Sequence, residues 1–178
     1  MIRAEEIFVN SIIPLFENKF KVTKEVWSKC HNGRIDLLLS LNNDVHFGIE
    51  CKTPDKKRGE QIGKYIKQAV RYTDYQFYVG NGIYKKIPIF ICPPLSYNYL
   101  IMKEQTITVN QAEYHKDRHH QTNTHHTVNG ILGHFLIGEV RSCYKNTYNL
   151  IVSNKIIFNS TNGLDVKNYN YLIKKLSI

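Results

Sequence analysis

Gly48-Ile49-Glu50-Cys51-Lys52 ends an apolar run on a carboxylate and an amine two residues apart, and Thr53-Pro54-Asp55-Lys56-Lys57-Arg58-Gly59 follows. On an extended strand residues i and i+2 share a face, so Glu50 and Lys52 project together while the Cys51 side chain points the other way. A second carboxylate, Asp36, closes the stretch Gly33-Arg34-Ile35-Asp36, and a short hairpin would bring it beside the end of the Glu50 strand. Two carboxylates from adjacent strands suit a hard, oxygen-seeking cation such as Mg²⁺, which keeps several waters for a phosphate ligand. A neighbouring lysine can orient or help deprotonate a water and offset charge building on phosphorus. Taken alone, the triplet is also what a surface strand carrying two opposite charges presents.

The elements that must position these groups follow from periodicity. Residues 1 to about 18 predict a helix with Ile2, Phe8, Val9, Ile12, Ile13, Leu15 and Phe16 on one broad face, Ile7 outside it, and a kink or a new turn at Pro14. Three strands are expected over Phe20–Trp27, Arg34–Leu41 and Val45–Cys51, with Asn42-Asn43-Asp44 as the last turn, making an antiparallel meander. Gly59 to Phe77 predicts a second helix, and Ile87 to Cys92 a strand buried on both faces and stopped by Pro93-Pro94. This order, α-β-β-β-α-β, implies a layered α/β domain. Beyond it, Ile131–Val140 predicts another strand, Tyr148–Phe158 a hairpin turning at Ser153-Asn154, and Val166–Leu176 a terminal helix. No linker divides the 178 residues, so a single domain over 1–178 is expected, with its core at about 1–95.

Composition narrows the partner. With 24 Lys and Arg against 15 Asp and Glu, a net charge of +9 favours a polyanion. The four cysteines, Cys30, Cys51, Cys92 and Cys143, are too widely spaced for a CxxC zinc or redox site. No apolar run approaches the ~18 residues of a membrane span. A cytoplasmic protein without a membrane partner is therefore expected.

Two further groups join the strand carboxylates. Glu5 falls near the middle of the apolar face of the first helix, where an acid needs a partner, with Glu6 at its edge. On the second helix Gln61, Lys64, Gln68 and Tyr72 form one polar flank at spacings of three and four. Between Lys52 and Arg71 the chain carries seven basic residues against two acidic ones, and Lys56, Lys57, Arg58 and Lys64 are candidate phosphate contacts.

In this order, the helix glutamate, GRID, IECK and QAVRY resemble the PD-(D/E)xK nuclease superfamily, and the QxxxY spacing of Gln68 and Tyr72 is most similar to its RecB-type branch. The resemblance spans roughly residues 1 to 95. It implies a restriction-endonuclease-like core, with a mixed central sheet flanked by helices, followed here by a C-terminal hairpin and helix. It also implies a metal-dependent deoxyribonuclease in which Mg²⁺, or Mn²⁺ in its place, is bound by Asp36, Glu50, the main-chain carbonyl of Cys51, and Glu5. Lys52 would serve the attacking water, and Gln68 and Tyr72 would orient that lysine or touch the DNA strand. DNA is the implied substrate, with RNA the alternative, internal cutting is favoured over cutting from an end, and a homodimer is an arrangement common among such enzymes. Gly33-Arg34-Ile35 stands where a proline can precede the aspartate, and no grouped cysteines suggest an iron–sulfur cluster.

Two features lie outside that pattern. His115, His119, His120, His125, His126 and His134 fall in or beside a polar stretch, 113–129, expected to be a long loop. His115 and His119 at i, i+4 would suit zinc or nickel on a helix. Glu139 and Arg141 share a strand face and read as structural or substrate-side residues. The competing readings are thus a binding protein of the same fold without hydrolysis, and a histidine-loop metal-binding or interaction protein.

Overall fold

The computed structural model describes residues 4–52, 58–92, 130–143 and 147–177. Helix α1 (Ala4–Glu17) leads into β1 (Lys21–Trp27), β2 (Arg34–Ser40) and β3 (His46–Cys51), then helix α2 (Arg58–Thr73). A hairpin of β4 (Phe77–Gly80) and β5 (Ile83–Lys85) precedes β6 (Ile89–Cys92). β7 (Gly138–Cys143), β8 (Thr147–Val152), β9 (Lys155–Asn159) and β10 (Gly163–Leu164) follow, and α3 (Val166–Leu176) is the last element.

Eight strands form one mixed sheet in the order β1-β2-β3-β6-β7-β8-β9-β10, with β4 and β5 as a separate ribbon. β1, β2 and β3 are the expected antiparallel meander. β3, β6 and β7 run parallel, and β7 to β10 are antiparallel again. Strands β3 and β6 are buried at every position, and β6, Ile-Phe-Ile-Cys, accordingly reads as an apolar run.

Helices cover both faces. Phe8, Ile12 and Phe16 of α1 and Tyr169, Leu172 and Leu176 of α3 pack on Leu37, Leu39, Phe47, Ile49 and Phe90. On the other face Tyr72 of α2 and Phe77 meet Ile35, Leu38 and Ile89, and Ala69 meets Ile91. Among the described residues no helix is long and apolar enough to cross a membrane.

Several boundaries differ from expectation. α1 continues through Pro14, which deprives the Asn10 carbonyl of its helical partner without ending the helix. α2 stops at Thr73, so Phe77 opens β4 instead of closing the helix. The unforeseen ribbon turns at Asn81-Gly82, both at positive φ, 52° and 75°, which two-residue hairpins require. Residues 130–134 are helical where a strand is predicted. Leu132 and Ile137 both pack beside α2, and the Ile137 amide returns to the Leu132 carbonyl at 2.9 Å before β7 begins. The Ser153-Asn154 turn and the bounds of α3 are as predicted.

The Phe47 ring meets Phe20, Phe90, Phe158 and Tyr169 with centroids 5.7–6.4 Å apart, joining β3 to elements from both ends of the chain. Phe47→Ala should therefore lower unfolding free energy by about 3–5 kcal/mol, read by urea denaturation. A loss below about 1 kcal/mol would mean the core closes without that ring.

Candidate active site

The meander brings Asp36 to the end of β3. Main-chain pairing of β2 with β3 runs from Ser40 opposite His46 to Leu37 opposite Ile49. Past that point the Cys51 amide donates to Asp36 Oδ2 at 2.6 Å, and the Lys52 amide donates to the Cys92 carbonyl at 2.8 Å. A carboxylate thus takes a ladder position at the mouth of the sheet. Across from Asp36, Glu25 holds φ at 52°, a conformation uncommon for a non-glycine residue and one that clusters at functional sites.

Glu50 and Lys52 share the α2 face, and the Cys51 side chain points into the opposite core, as strand alternation requires. Both charged groups are buried. Lys52 Nζ donates to Glu50 Oε1 and, at 2.8 Å, to Gln68 Oε1. Gln68 Nε2 donates to the Tyr72 hydroxyl at 2.8 Å, and that hydroxyl donates to the Arg34 carbonyl at 3.0 Å. The i, i+4 spacing of Gln68 and Tyr72 is what lets one helix turn carry the relay. The Lys52 ammonium also lies 5.1 Å from the Tyr65 ring centroid. Gly33 makes room for the relay, because a Cβ there would lie 2.8 Å from Tyr72 Cε1.

Charges in this cluster oppose one another. Burial pushes Asp36 up to about 6, against the Cys51 amide and Lys52, which pull it down, and Glu5 adds to the rise. Burial and the Asp36 carboxylate likewise push Glu50 above the ordinary carboxylate range, with Lys52 opposing them. Burial works against the Lys52 ammonium, but the charge and hydrogen bond of Glu50, together with Asp36 and Glu5, outweigh it and the net shift is upward, so Lys52 is a cation at neutral pH. Glu50 Oε2 is buried and has no hydrogen-bond partner among the described residues.

An orphaned carboxylate oxygen beside a second carboxylate with a raised pKa fits a hard cation. Asp36 and Glu50 offer only oxygen, and a divalent ion would relieve their repulsion. Among the described residues no three or more His, Cys, Asp or Glu side chains converge to hold a metal.

Glu5 does not lie on the buried side of α1. It is exposed in the first turn, whose other face carries Phe8 into the core, and with Glu6, Arg34 and Asp36 it lines a cleft of about 520 Å³. Its charge reaches both carboxylates across that cleft. Tyr72, a candidate strand contact, is buried at 7% exposure and serves the relay. Lys64 is exposed on α2. Lys56 and Lys57 lie outside the described residues, as do the side chain of Arg58 and the histidines at 115–126, while His134 is exposed against Phe135.

Sequence reasoning missed three contributors. Tyr65, whose ring lies against the Lys52 ammonium, has no role in it. Arg34 counts as a spacer, yet its carbonyl ends the relay and its guanidinium pairs with Glu25 at 3.1 Å and covers Trp27 at 5.4 Å. Glu25, at a position the β1–β2 ladder skips, carries no signal in the amino-acid order. No protein-family profile, curated protein or solved structure matches the chain.

The raised Asp36 has a stability consequence without added metal. Its folded value lies above the ordinary 3.8, so its contribution favours folding below about pH 4 and is lost as pH rises through about 6. Asp36→Asn keeps an oxygen for the Cys51 amide. Its urea midpoint should exceed wild type at pH 8, with the gap closing near pH 4. A gap independent of pH would show that the carboxyl is not strained in the fold.

Proposed function

We propose that the chain is a metal-dependent nuclease of the PD-(D/E)xK type, with a restriction-endonuclease-like core, that hydrolyses DNA phosphodiesters. The observation carrying this reading is the buried Glu50–Lys52–Gln68–Tyr72 relay beside Asp36, with one Glu50 oxygen left without a hydrogen bond. Such a relay costs desolvation of two charges, which a purely structural strand end avoids with apolar residues.

Asp36 and Glu50 would hold Mg²⁺ or Mn²⁺, with the Cys51 main-chain carbonyl and Glu5 completing the candidate set. When bound, such a cation supplies Lewis acidity, which makes water a better nucleophile at neutral pH and offsets phosphate charge. In the hydrolysis, water oxygen bonds to phosphorus, the bond from phosphorus to one sugar oxygen breaks, and that oxygen takes up a proton. Lys52, held protonated by Glu50, supplies a fixed positive charge that offsets the charge building on the phosphate. Gln68 and Tyr72 are positioning residues, since their hydrogen bonds fix where the ammonium points.

The test is incubation with circular and linear DNA, single- and double-stranded, and with RNA, in Mg²⁺ or Mn²⁺. Cleavage should vanish in EDTA and fall by at least ~100-fold in Lys52→Ala and in Glu50→Ala, each first shown to be folded. Linearisation of the circle would mark internal cutting. Undiminished cutting by both variants would overturn the assignment. One observation favours the second reading, a binding protein of this fold: Glu50 already has an ion-pair partner in Lys52. Salt-sensitive DNA binding with no cleavage in either ion would establish it.

A further inference from the structure

The parallel strands β3, β6 and β7 end at one edge of the sheet. Glu50, Ile91 and Glu139 form one row across them, and Ile91 faces Ala69 of α2. Side chains in such a row share a face, so Glu139 lies on the side that carries Glu50. By the same alternation Lys52 and Arg141, each two residues further on, lie on that face, with β6 between their strands. The carboxyl ends of parallel strands are where open α/β sheets take their ligands.

Arg141 is held there by a buried acid. Its Nε and Nη2 both donate to Glu139 Oε2, at 3.4 and 3.1 Å. The Glu139 side chain is 3% exposed, whereas that of Arg141 retains 19%. A guanidinium carries five N–H donors in a fixed fork, so a carboxylate engaging one edge orients the others without consuming them. Neutralising a buried glutamate requires only a positive charge. A pre-oriented fork at the edge that also carries Lys52 suits an oxyanion, which it can meet with two parallel hydrogen bonds.

We propose that Arg141, oriented by Glu139, binds a backbone phosphate of the nucleic-acid strand beside the one placed at Asp36, Glu50 and Lys52. This rests on the nuclease reading and adds to it a substrate contact on the far side of β6, outside residues 1–95.

Binding without turnover separates the two claims. Fluorescein-labelled single-stranded and duplex oligonucleotides are titrated with the full chain in EDTA at several salt concentrations. The variants are Arg141→Lys and the double variant Glu139→Gln/Arg141→Gln, which removes the acid and the cation of the pair together. Thermal melts show whether each is folded. Both should bind about 5- to 20-fold more weakly than wild type. The double variant should also reduce the slope of log affinity against log salt by about 0.7 to 0.9, one phosphate contact. Folded variants with wild-type affinity and slope would make the pair structural only and overturn the proposal while leaving the nuclease reading standing. Wild-type protein that binds neither oligonucleotide would overturn both.

Discussion

The buried ammonium of Lys52 is the interaction on which the site is built. An amine this enclosed is tolerated only with a charge partner and further acceptors, and here Glu50 and Gln68 supply them while Tyr65 covers the group from the side. Those partners come from one strand end and one helix, so the register of α2 over β3 and the state of the ammonium are set together. Tyr72 extends the arrangement to β2 through the Arg34 carbonyl, which ties the strand bearing Asp36 to the same relay.

The remaining charges are in conflict. Asp36 and Glu50 repel each other in a partly dry setting, Glu5 adds to the repulsion, and a single lysine does not resolve it. Asp36 occupies a ladder position, and Glu25 opposite it sits in a costly backbone conformation. The surrounding core of Phe, Leu and Ile holds the cluster in place. Departures from local consistency that concentrate at one spot on a well-packed sheet are a mark of function more than of folding.

Much of this was legible in the amino-acid order, for identifiable reasons. Strand alternation placed Glu50 and Lys52 together and sent Cys51 to the opposite core. The i, i+4 spacing of Gln68 and Tyr72 placed both on the flank of α2 that meets Lys52. The meander and the final helix announced themselves through period and turn residues. What was not legible depended on tertiary contact. Glu5 looked central on a helical wheel because the wheel cannot show that the first turn overhangs a cleft. The hairpin at Asn81-Gly82 went unread because the apolar residues before it continue a helical period. The helical turn at 130–134 forms because Leu132 and Ile137 reach the same cluster beneath α2, which no alternation pattern predicts. Arg34 and Tyr65 became visible only once a strand and a helix lay side by side.

If Asp36 and Glu50 hold a divalent cation, its binding must displace the proton that burial favours on them. Calorimetric titration with Mn²⁺ near pH 6.5, repeated in buffers of different ionisation enthalpy, measures the ion and the protons it displaces together. At least one ion should bind with release of about one proton, the release fading by about pH 9, and none should bind in Asp36→Asn/Glu50→Gln. Binding that survives in that double variant, or binding in wild type with no proton released near pH 6.5, would contradict a cation centre at Asp36 and Glu50.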